Sequence, residues 1–474
     1  MLFNHLIDLI ILKNNSRVEY VMSEKKSEKQ LFGTNGVRGI VGTELTPELV
    51  LKIGLALGTL RKGRIAVGRD TRTSGETLSY AIKAGLLAQG CDVVDCGVLP
   101  TPALQYLVRQ HFDAGAMITA SHNPPEYNGV KIIEGDGTEM GDEETIKLEN
   151  LIINHSPSTT TWENIGREEA AHHLIDEYIQ AIVNQFPGKP GSGMTVVVDP
   201  GSGPACFTTS RILTEMGCRV LTINGVADGT FPGRLPEPSP AGLKDLADLV
   251  VSSNAAFGVA HDGDADRAVF INEKGQFVEE NQEFAIIARH ICHEKKGVIV
   301  TPVSTSQIVE IVVTNEGCSI KYTPVGSIYV ARTMIALMET GNTVIFGGEG
   351  NGGLIFPNHQ FCRDGGMTAA MMVSIISQTK RSLSEHIDQL PARELIKEKI
   401  NIADGNLVID SLKTAFAKDK LDLTDGIKIY RGQSWALVRA SGTEPIMRIV
   451  IDAENKDTAL SLFKEIQQNL NLKK

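Results

Sequence analysis

The sequence predicts an α/β protein: three α/β units in tandem, then a smaller α+β unit. Two observations predict it. One pattern, a β-branched strand, a loop, a helix, then Gly-Cys and a second strand, occurs three times along the 474 residues, and the C-terminal stretch departs from it. The composition supplies the cores for such units, since 42% of the residues are hydrophobic and 22% charged. That balance excludes collagen-like, disordered and short-repeat solenoid classes.

The first copy runs from Ile65–Gly68 to Gly90-Cys91 and Val93-Val94, and the second from Val196–Val198 to Gly217-Cys218 and Val220–Ile223. The third runs from Val298–Val300 to Gly317-Cys318 and Ile320. Short apolar strands alternating with helices of this length predict βαβ units with right-handed crossovers. His155–Glu169, polar and without periodicity, is expected to be a linker. A helix is expected next, because Leu174, Ile175, Tyr178, Ile179, Ile182, Val183 and Phe186 recur every three to four residues, with Pro187-Gly188 ending it. A further helix begins near Asp364. Beyond Arg381–Arg393, strands are expected at Gly426–Tyr430, Trp435–Arg439 and Ile446–Asp452, and a helix at Asp457–Leu470. Their order reads as a small antiparallel α+β unit. The expected division is therefore 1–27 (a disordered extension), 28–160, 161–276, 277–385 and 386–474. Residues 22–30 (MSEKKSEKQ) read as an ordinary polar start, which makes Met22 a candidate initiator.

Asp and Glu number 57 against 46 Lys and Arg, a formal charge of −11. Nucleic acid and anionic membranes are bound by clustered Lys and Arg, so neither is the expected partner. An anionic small substrate would have to meet a local basic pocket. The seven cysteines are scattered with no C-x-x-C pair. They read as reduced thiols of a cytoplasmic protein, neither a disulfide framework nor a zinc site. The apolar run Leu6–Leu12 is interrupted by Asp8, is far shorter than the ~20 residues a span needs, and is not followed by a small-residue cleavage site.

Four clusters carry chemistry. Thr119-Ala120-Ser121-His122-Asn123-Pro124-Pro125, followed by Asn128-Gly129-Val130-Lys131, places Ser121 in a proline-held loop after an apolar strand. It could be a nucleophilic or phosphorylated serine, or equally a turn residue bonded to local backbone. Asp262-Gly263-Asp264-Ala265-Asp266-Arg267 sets three carboxylates at alternate positions, separated by residues too small to crowd them. Hard oxygen ligands of this kind suit Mg²⁺, and the apolar run before them places the loop at a strand's C-terminal end. An aspartyl-nucleophile phosphatase also uses D-x-D after a strand, so that class stays open. Gly347-Gly348-Glu349-Gly350-Asn351-Gly352-Gly353 continues as a strand, unlike a dinucleotide fingerprint, and Glu349 and Asn351 offer groups suited to hydroxyls. Arg439-Ala440-Ser441-Gly442-Thr443-Glu444-Pro445, with Arg448 beyond, forms a plausible nest for a phosphate dianion. Further arginines stand in Gly36-Val37-Arg38-Gly39 and Gly68-Arg69-Asp70-Thr71-Arg72. A substrate with phosphate at one end and hydroxyls along its length would fit these clusters in series.

The motifs T-A-S-H-N-P, D-G-D-A-D-R, G-E-G-N-G-G and R-A-S-G-T-E-P, in that order, resemble the α-D-phosphohexomutase family from about Leu31 to the C-terminus. The opening Leu31–Gly39, Phe231-Pro232-Gly233-Arg234 and Pro236-Glu237-Pro238 resemble the phosphoglucosamine mutase branch, particularly its archaeal type. The resemblance implies three αβα domains with mixed sheets and a C-terminal α+β domain like the TATA-binding-protein fold, around a central cleft. It implies one Mg²⁺ per chain, held by Asp262, Asp264 and Asp266 with the phosphate of a catalytic phosphoserine at Ser121. His122 would lie beside that serine, Arg267 would steady the phosphate, and Arg38 and Lys131 would assist proton transfer. Glu349 and Asn351 would read sugar hydroxyls, while Arg439, Ser441, Gly442, Thr443 and Arg448 dock the non-reacting phosphate. The implied reaction moves phosphate between C6 and C1 of a hexosamine or hexose phosphate through a sugar 1,6-bisphosphate, which also serves as activator. Asn351 and Gly353 stand where bacterial phosphoglucosamine mutases and the mannose and glucose enzymes alike tend to carry Ser and His, so these two positions do not choose the sugar. Tyr322–Ser327 replaces the Lys-Thr-Gly-His type segment of the mannose and glucose enzymes, which favours glucosamine phosphate. A phosphatase and a sugar-phosphate sensor without turnover are the rival classes, and a homo-oligomer is compatible with the sequence.

Overall fold

The computed structural model describes residues 31–33, 36–154, 157–401, 405–440 and 446–470. The extension expected at 1–27 lies outside the described residues. Among them the strands form four sheets. The first contains β1 (Val37–Ile40), β2 (Arg64–Arg69), β3 (Asp92–Val98), β4 (Ala114–Ile118), β5 (Tyr127–Glu134) and β6 (Glu168–Ala170), in the order β1-β5-β4-β2-β3-β6. The second contains β7 (Thr195–Asp199), β8 (Arg219–Thr222), β9 (Phe257–His261), β10 (Ala268–Asn272) and β11 (Phe277–Val278), ordered β11-β10-β9-β7-β8. β12 (Val298–Pro302), β13 (Ser319–Thr323), β14 (Val344–Glu349) and β15 (Gly353–Ile355) form the third, ordered β13-β12-β14-β15. The fourth, wholly antiparallel, is β16 (Glu394–Asn401), β17 (Lys420–Asp422), β18 (Ile427–Arg431), β19 (Ser434–Ala440) and β20 (Ile446–Ala453), ordered β16-β20-β19-β18-β17.

The threefold sequence pattern is a threefold structural one. In each copy the first two strands, β2/β3, β7/β8 and β12/β13, pair in parallel across a helix. The next strand, β4, β9 or β14, pairs in parallel on the other side of the first. It then turns back through a hairpin into an antiparallel neighbour, β5, β10 or β15. The Gly-Cys signature has a physical cause. Gly90, Gly217 and Gly317 lie at φ +80°, +96° and +73° just past the helices Gly75–Ala88, Thr209–Glu215 and Gln307–Asn315. They supply the left-handed residue that ends a helix, a conformation that costs an L-residue roughly 1–2 kcal/mol. The following Cys91, Cys218 and Cys318 turn inward and are buried.

Two expectations change in detail. The stretch read as a linker contributes a 3₁₀ turn at Trp162–Asn164 and the strand β6, which adds to the first sheet beside β3. Its three residues are all exposed, so an edge strand with no apolar face gave no period to read. The helix expected over Leu174–Phe186 is a 3₁₀ turn at His172–Leu174 followed by an α-helix at Ile175–Val183, which stops before Phe186.

One apolar cluster runs through the first three units, from Ala66 and Val94 through Phe257 and Phe346 to Leu383. The fourth unit has its own core, including Leu412, Ile429, Ile449 and Ile466. It meets the third through a small patch of Val303, Trp435 and Leu437. No helix among the described residues is long and apolar enough to cross a membrane.

Candidate active site

The three hairpins place three of the chemical clusters at equivalent positions. Ser121 lies between β4 and β5, the aspartates between β9 and β10, and Gly350–Gly352 between β14 and β15. Each loop thus sits at the C-terminal end of a central parallel strand, where open α/β sheets place ligands.

The Ser121 loop is held by a buried arginine. Arg72 donates through Nη2 to the carbonyls of Ser121 (2.7 Å) and Asn123 (2.6 Å), and through Nη1 to those of Pro124 (2.6 Å) and Tyr127 (2.9 Å). Its Nε donates to Asp70 Oδ2 at 3.1 Å. The Thr119 hydroxyl donates to the same carboxylate at 2.6 Å and accepts from the Ser121 amide at 2.9 Å. Within this frame Ser121 adopts φ +50°. Its Oγ donates to Asp262 Oδ2 at 2.9 Å and lies 3.4 Å from His122 Nδ1. The two loops can approach so closely because position 263 is glycine: a Cβ there would stand 2.2 Å from the Ser121 carbonyl oxygen.

Asp262, Asp264 and Asp266 are buried, each with a carboxylate oxygen within 4.8 Å of the others. Lys131 Nζ, from β5, donates to Asp264 Oδ2 at 2.8 Å and to Asp266 Oδ2 at 3.4 Å, and the Thr101 hydroxyl donates to Asp264 Oδ2 at 2.6 Å. Arg267 Nε donates to Asp262 Oδ2 at 3.1 Å while its terminal nitrogens clasp Glu237, both at 3.1 Å. Asp264 Oδ1 and Asp266 Oδ1 are buried without a hydrogen-bond partner. Two orphaned carboxylate oxygens beside a third carboxylate are the donor set a hard divalent cation takes, so the residues fit Mg²⁺.

The electrostatics follow from burial. Desolvation, with Asp266 and Asp264 close by and Arg267 opposing, pushes the Asp262 carboxyl up to about 7. Asp264 is equally buried, yet the Lys131 ammonium and the Thr101 hydroxyl hold it below the usual carboxylate range. Burial works against the charge on Lys131, but Asp264 and Asp266 outweigh it and keep the ammonium above its usual value. Lys131 is therefore held as a fixed positive charge between the two carboxylates. Burial, then the Arg267 guanidinium, holds the His122 imidazole below its usual range. Arg38 Nη1 donates to Asn123 Oδ1 at 3.0 Å, which puts a guanidinium against the serine loop.

In the third loop Glu349 is buried and accepts from Arg363 Nη1 at 2.9 Å, while Asn351 Oδ1 accepts from the Gly353 amide at 3.1 Å. Arg363 also donates through Nη2 to Asp266 Oδ2. In the fourth unit Arg439 and Arg448 face each other across β19 and β20, and Arg439 Nε lies 3.2 Å from Asp425. Ser441, Gly442 and Thr443 lie outside the described residues. The structure thus brings together Ser121, His122, Lys131, Arg38, Arg267 and the three aspartates, and ties Glu349 to them through Arg363.

Sequence reasoning missed Thr101, Glu237 and Arg363 as parts of the site and saw Arg72 only as one of several arginines. No short motif marks Thr101 or Arg363, whose aspartate partners lie 163 and 97 positions away. Arg72 carried one signal, the two-residue spacing from Asp70 after an apolar strand.

Domain descriptions of the phosphoglucomutase/phosphomannomutase family match most of the chain. Its alpha/beta/alpha domains I, II and III match residues 29–158, 176–275 and 279–393, and its C-terminal domain matches 398–468. A phosphoglucomutase/phosphomannomutase of Thermococcus kodakarensis is 43% identical over 444 residues, covering 91% of this chain and 96% of its own. A probable phosphoglucosamine mutase of Methanopyrus kandleri is 41% identical, covering 92% of this chain and 96% of its own. The crystal structure of a phosphoglucomutase/phosphomannomutase family protein from Burkholderia thailandensis superposes with a TM-score of 0.83 at 25% identity, over 93% of this chain and 96% of that one. With four matched domains in the family's order and identity above 40% across nine-tenths of its length, the chain belongs to the phosphoglucomutase/phosphomannomutase family.

Proposed function

We propose that this chain is an intramolecular phosphotransferase that moves phosphate between C6 and C1 of glucosamine phosphate. The observation that carries the reading is the 2.9 Å hydrogen bond from Ser121 Oγ to Asp262, which joins the serine of one unit to the buried aspartate triplet of the next. In this reading Ser121 is a phosphoserine that gives its phosphoryl to the free hydroxyl of a sugar monophosphate. The resulting 1,6-bisphosphate turns over and returns its other phosphoryl to Ser121. The bisphosphate therefore also serves as activator.

Asp262, Asp264, Asp266 and the Ser121 phosphate would hold one Mg²⁺, whose charge stabilises the transferring phosphoryl group. Arg267, fixed between Asp262 and Glu237, adds a second positive charge at the same place. Lys131 and Arg38 supply charge and protons on the serine side, with His122 beside Ser121. Glu349 and Asn351 read sugar hydroxyls. Arg439, Ser441, Gly442, Thr443 and Arg448 dock the phosphate that does not react. The Methanopyrus relative's name supports the hexosamine. The Thermococcus relative's name supports glucose or mannose phosphate as the alternative, with the same mechanism. The free cysteines fit the reducing cytoplasm.

The test is turnover with Mg²⁺, a trace of hexose 1,6-bisphosphate, and glucosamine, mannose or glucose 6-phosphate in separate reactions, followed by phosphorus NMR. The expected result is the highest kcat/KM for glucosamine 6-phosphate. Preference for another sugar replaces the substrate, and free phosphate without an isomerised sugar phosphate overturns the mutase reading.

A further inference from the structure

Arg363 is the one side chain that touches both the third-loop carboxylate and the aspartate triplet among the described residues. Its Nη1 donates to Glu349 Oε2 at 2.9 Å and its Nη2 to Asp266 Oδ2. Arg363, Glu349 and Asp266 are all more than nine-tenths buried. No described residue bonds Glu349 Oε1, which leaves that oxygen for a ligand.

The route of the arginine depends on a glycine. Arg363 forms an antiparallel bridge with Ile355 at the end of β15, and Gly353, at its start, pairs with Glu349 across the hairpin. A Cβ at position 353 would stand 2.3 Å from Arg363 Cδ and 3.1 Å from its Cγ. Gly353 is not in the left-handed region, so its backbone accepts any residue. The closest contact that glycine relieves there is with the arginine stem lying across it on the way to Glu349; Asn351 Oδ1 would stand 3.1 Å from the same Cβ.

We propose that Arg363 is a specificity-determining positioning residue, threaded over Gly353, that holds Glu349 in its hydroxyl-reading orientation and couples it to the metal-binding Asp266. Its guanidinium fixes one Glu349 oxygen and turns the other toward the sugar. Its charge also lies beside Asp266 and competes with a cation there. Sugar recognition and metal affinity are thereby set by one group with opposite signs. The inference rests on the proposed binding of a sugar phosphate between these loops.

The experiment is a mutant cycle of Arg363→Ala, Gly353→Ala and the double variant. KM and kcat are measured on whichever hexose 6-phosphate the wild type turns over, and Mg²⁺ affinity by calorimetry. Arg363→Ala is expected to raise KM about tenfold, the worth of one charged hydrogen bond, while tightening Mg²⁺ binding severalfold. Gly353→Ala is expected to reproduce the KM rise by displacing the arginine stem. The double variant is expected to be no worse than Arg363→Ala, because the added methyl then meets no arginine. Arg363→Lys keeps the charge but not the two-pronged reach, so it should retain wild-type Mg²⁺ affinity with a raised KM. If Arg363→Ala does not fold, Arg363→Lys takes its place in the cycle. Additive effects, an unchanged KM, or weaker Mg²⁺ binding in Arg363→Ala overturns the proposal. A different preferred sugar, or no turnover, overturns the proposed function instead and leaves the Mg²⁺ measurement to judge Arg363.

Discussion

Ser121 keeps its backbone at φ +50°, a left-handed conformation that costs a non-glycine residue of order 1–3 kcal/mol. Thr119 and Arg72 hold it there, and the outcome is a hydroxyl aimed at Asp262. Replacing Ser121 by Ala should leave the fold intact, abolish phosphate incorporation at the loop by mass spectrometry, and lower kcat by at least about 10³-fold, as removal of a nucleophile does. Robust turnover by that variant would make the serine structural. A different residue-scale consequence arises at His386, buried where Arg289 Nη2 meets its Nδ1 at 3.0 Å and Thr379 its Nε2 at 2.9 Å. Burial, then Arg289 and Arg381, pushes its pKa down to about 4 from 6.5. The unfolded chain thus takes up this proton at higher pH than the folded one. His386 therefore subtracts stability as pH falls from 6.5 toward 4, and nothing further below that. Urea midpoints for wild type and His386→Asn at pH 7, 5.5 and 4.5 should show a smaller fall for the variant; parallel curves would remove His386 as the cause.

At the scale of elements, the serine loop is a hairpin connection stapled by Arg72 rather than by an apolar side of its own. Four loop carbonyls and Asp70 take all the arginine's donors, and the Phe231 ring lies 5.2 Å beneath it. Arg72→Met keeps volume but strands Asp70 and four carbonyls, so the expected loss is about 3–5 kcal/mol, as for a broken buried ion pair. Equilibrium denaturation measures it, and a loss below about 1 kcal/mol would show that water replaces the staple.

For the whole molecule, the continuous core of the first three units contrasts with the separate core of the fourth. Polar pivots hold the fourth unit to the third. Buried Asp452 accepts from the Ser306 hydroxyl, from the Gln307 amide at 3.0 Å and from Arg393 Nε at 2.6 Å. Lys428 Nζ donates to the Val303 carbonyl at 2.7 Å with the Trp435 ring 3.9 Å away. Asp452→Ala should therefore release the fourth unit before the rest: calorimetry is expected to split one transition into two, and limited proteolysis to cut near Pro391–Glu394. A single, merely lowered transition would show that the apolar patch alone couples the units.

The sequence by itself determined what is written locally. Strand and helix periods, the left-handed glycine before each inward cysteine, and the run of small residues between aspartates are short-range signals, and they were enough for three α/β units, an α+β tail and the clusters around Ser121, Asp262 and Glu349. It missed β6 because an exposed three-residue edge strand has no period, and β16 and β17 because their burial alternates weakly. The tertiary structure alone decided how the clusters meet. Thr101 lies 163 positions from Asp264 and Arg363 97 from Asp266. Bonds of that span are set by how three sheets pack around one core, and no spacing along the chain encodes them.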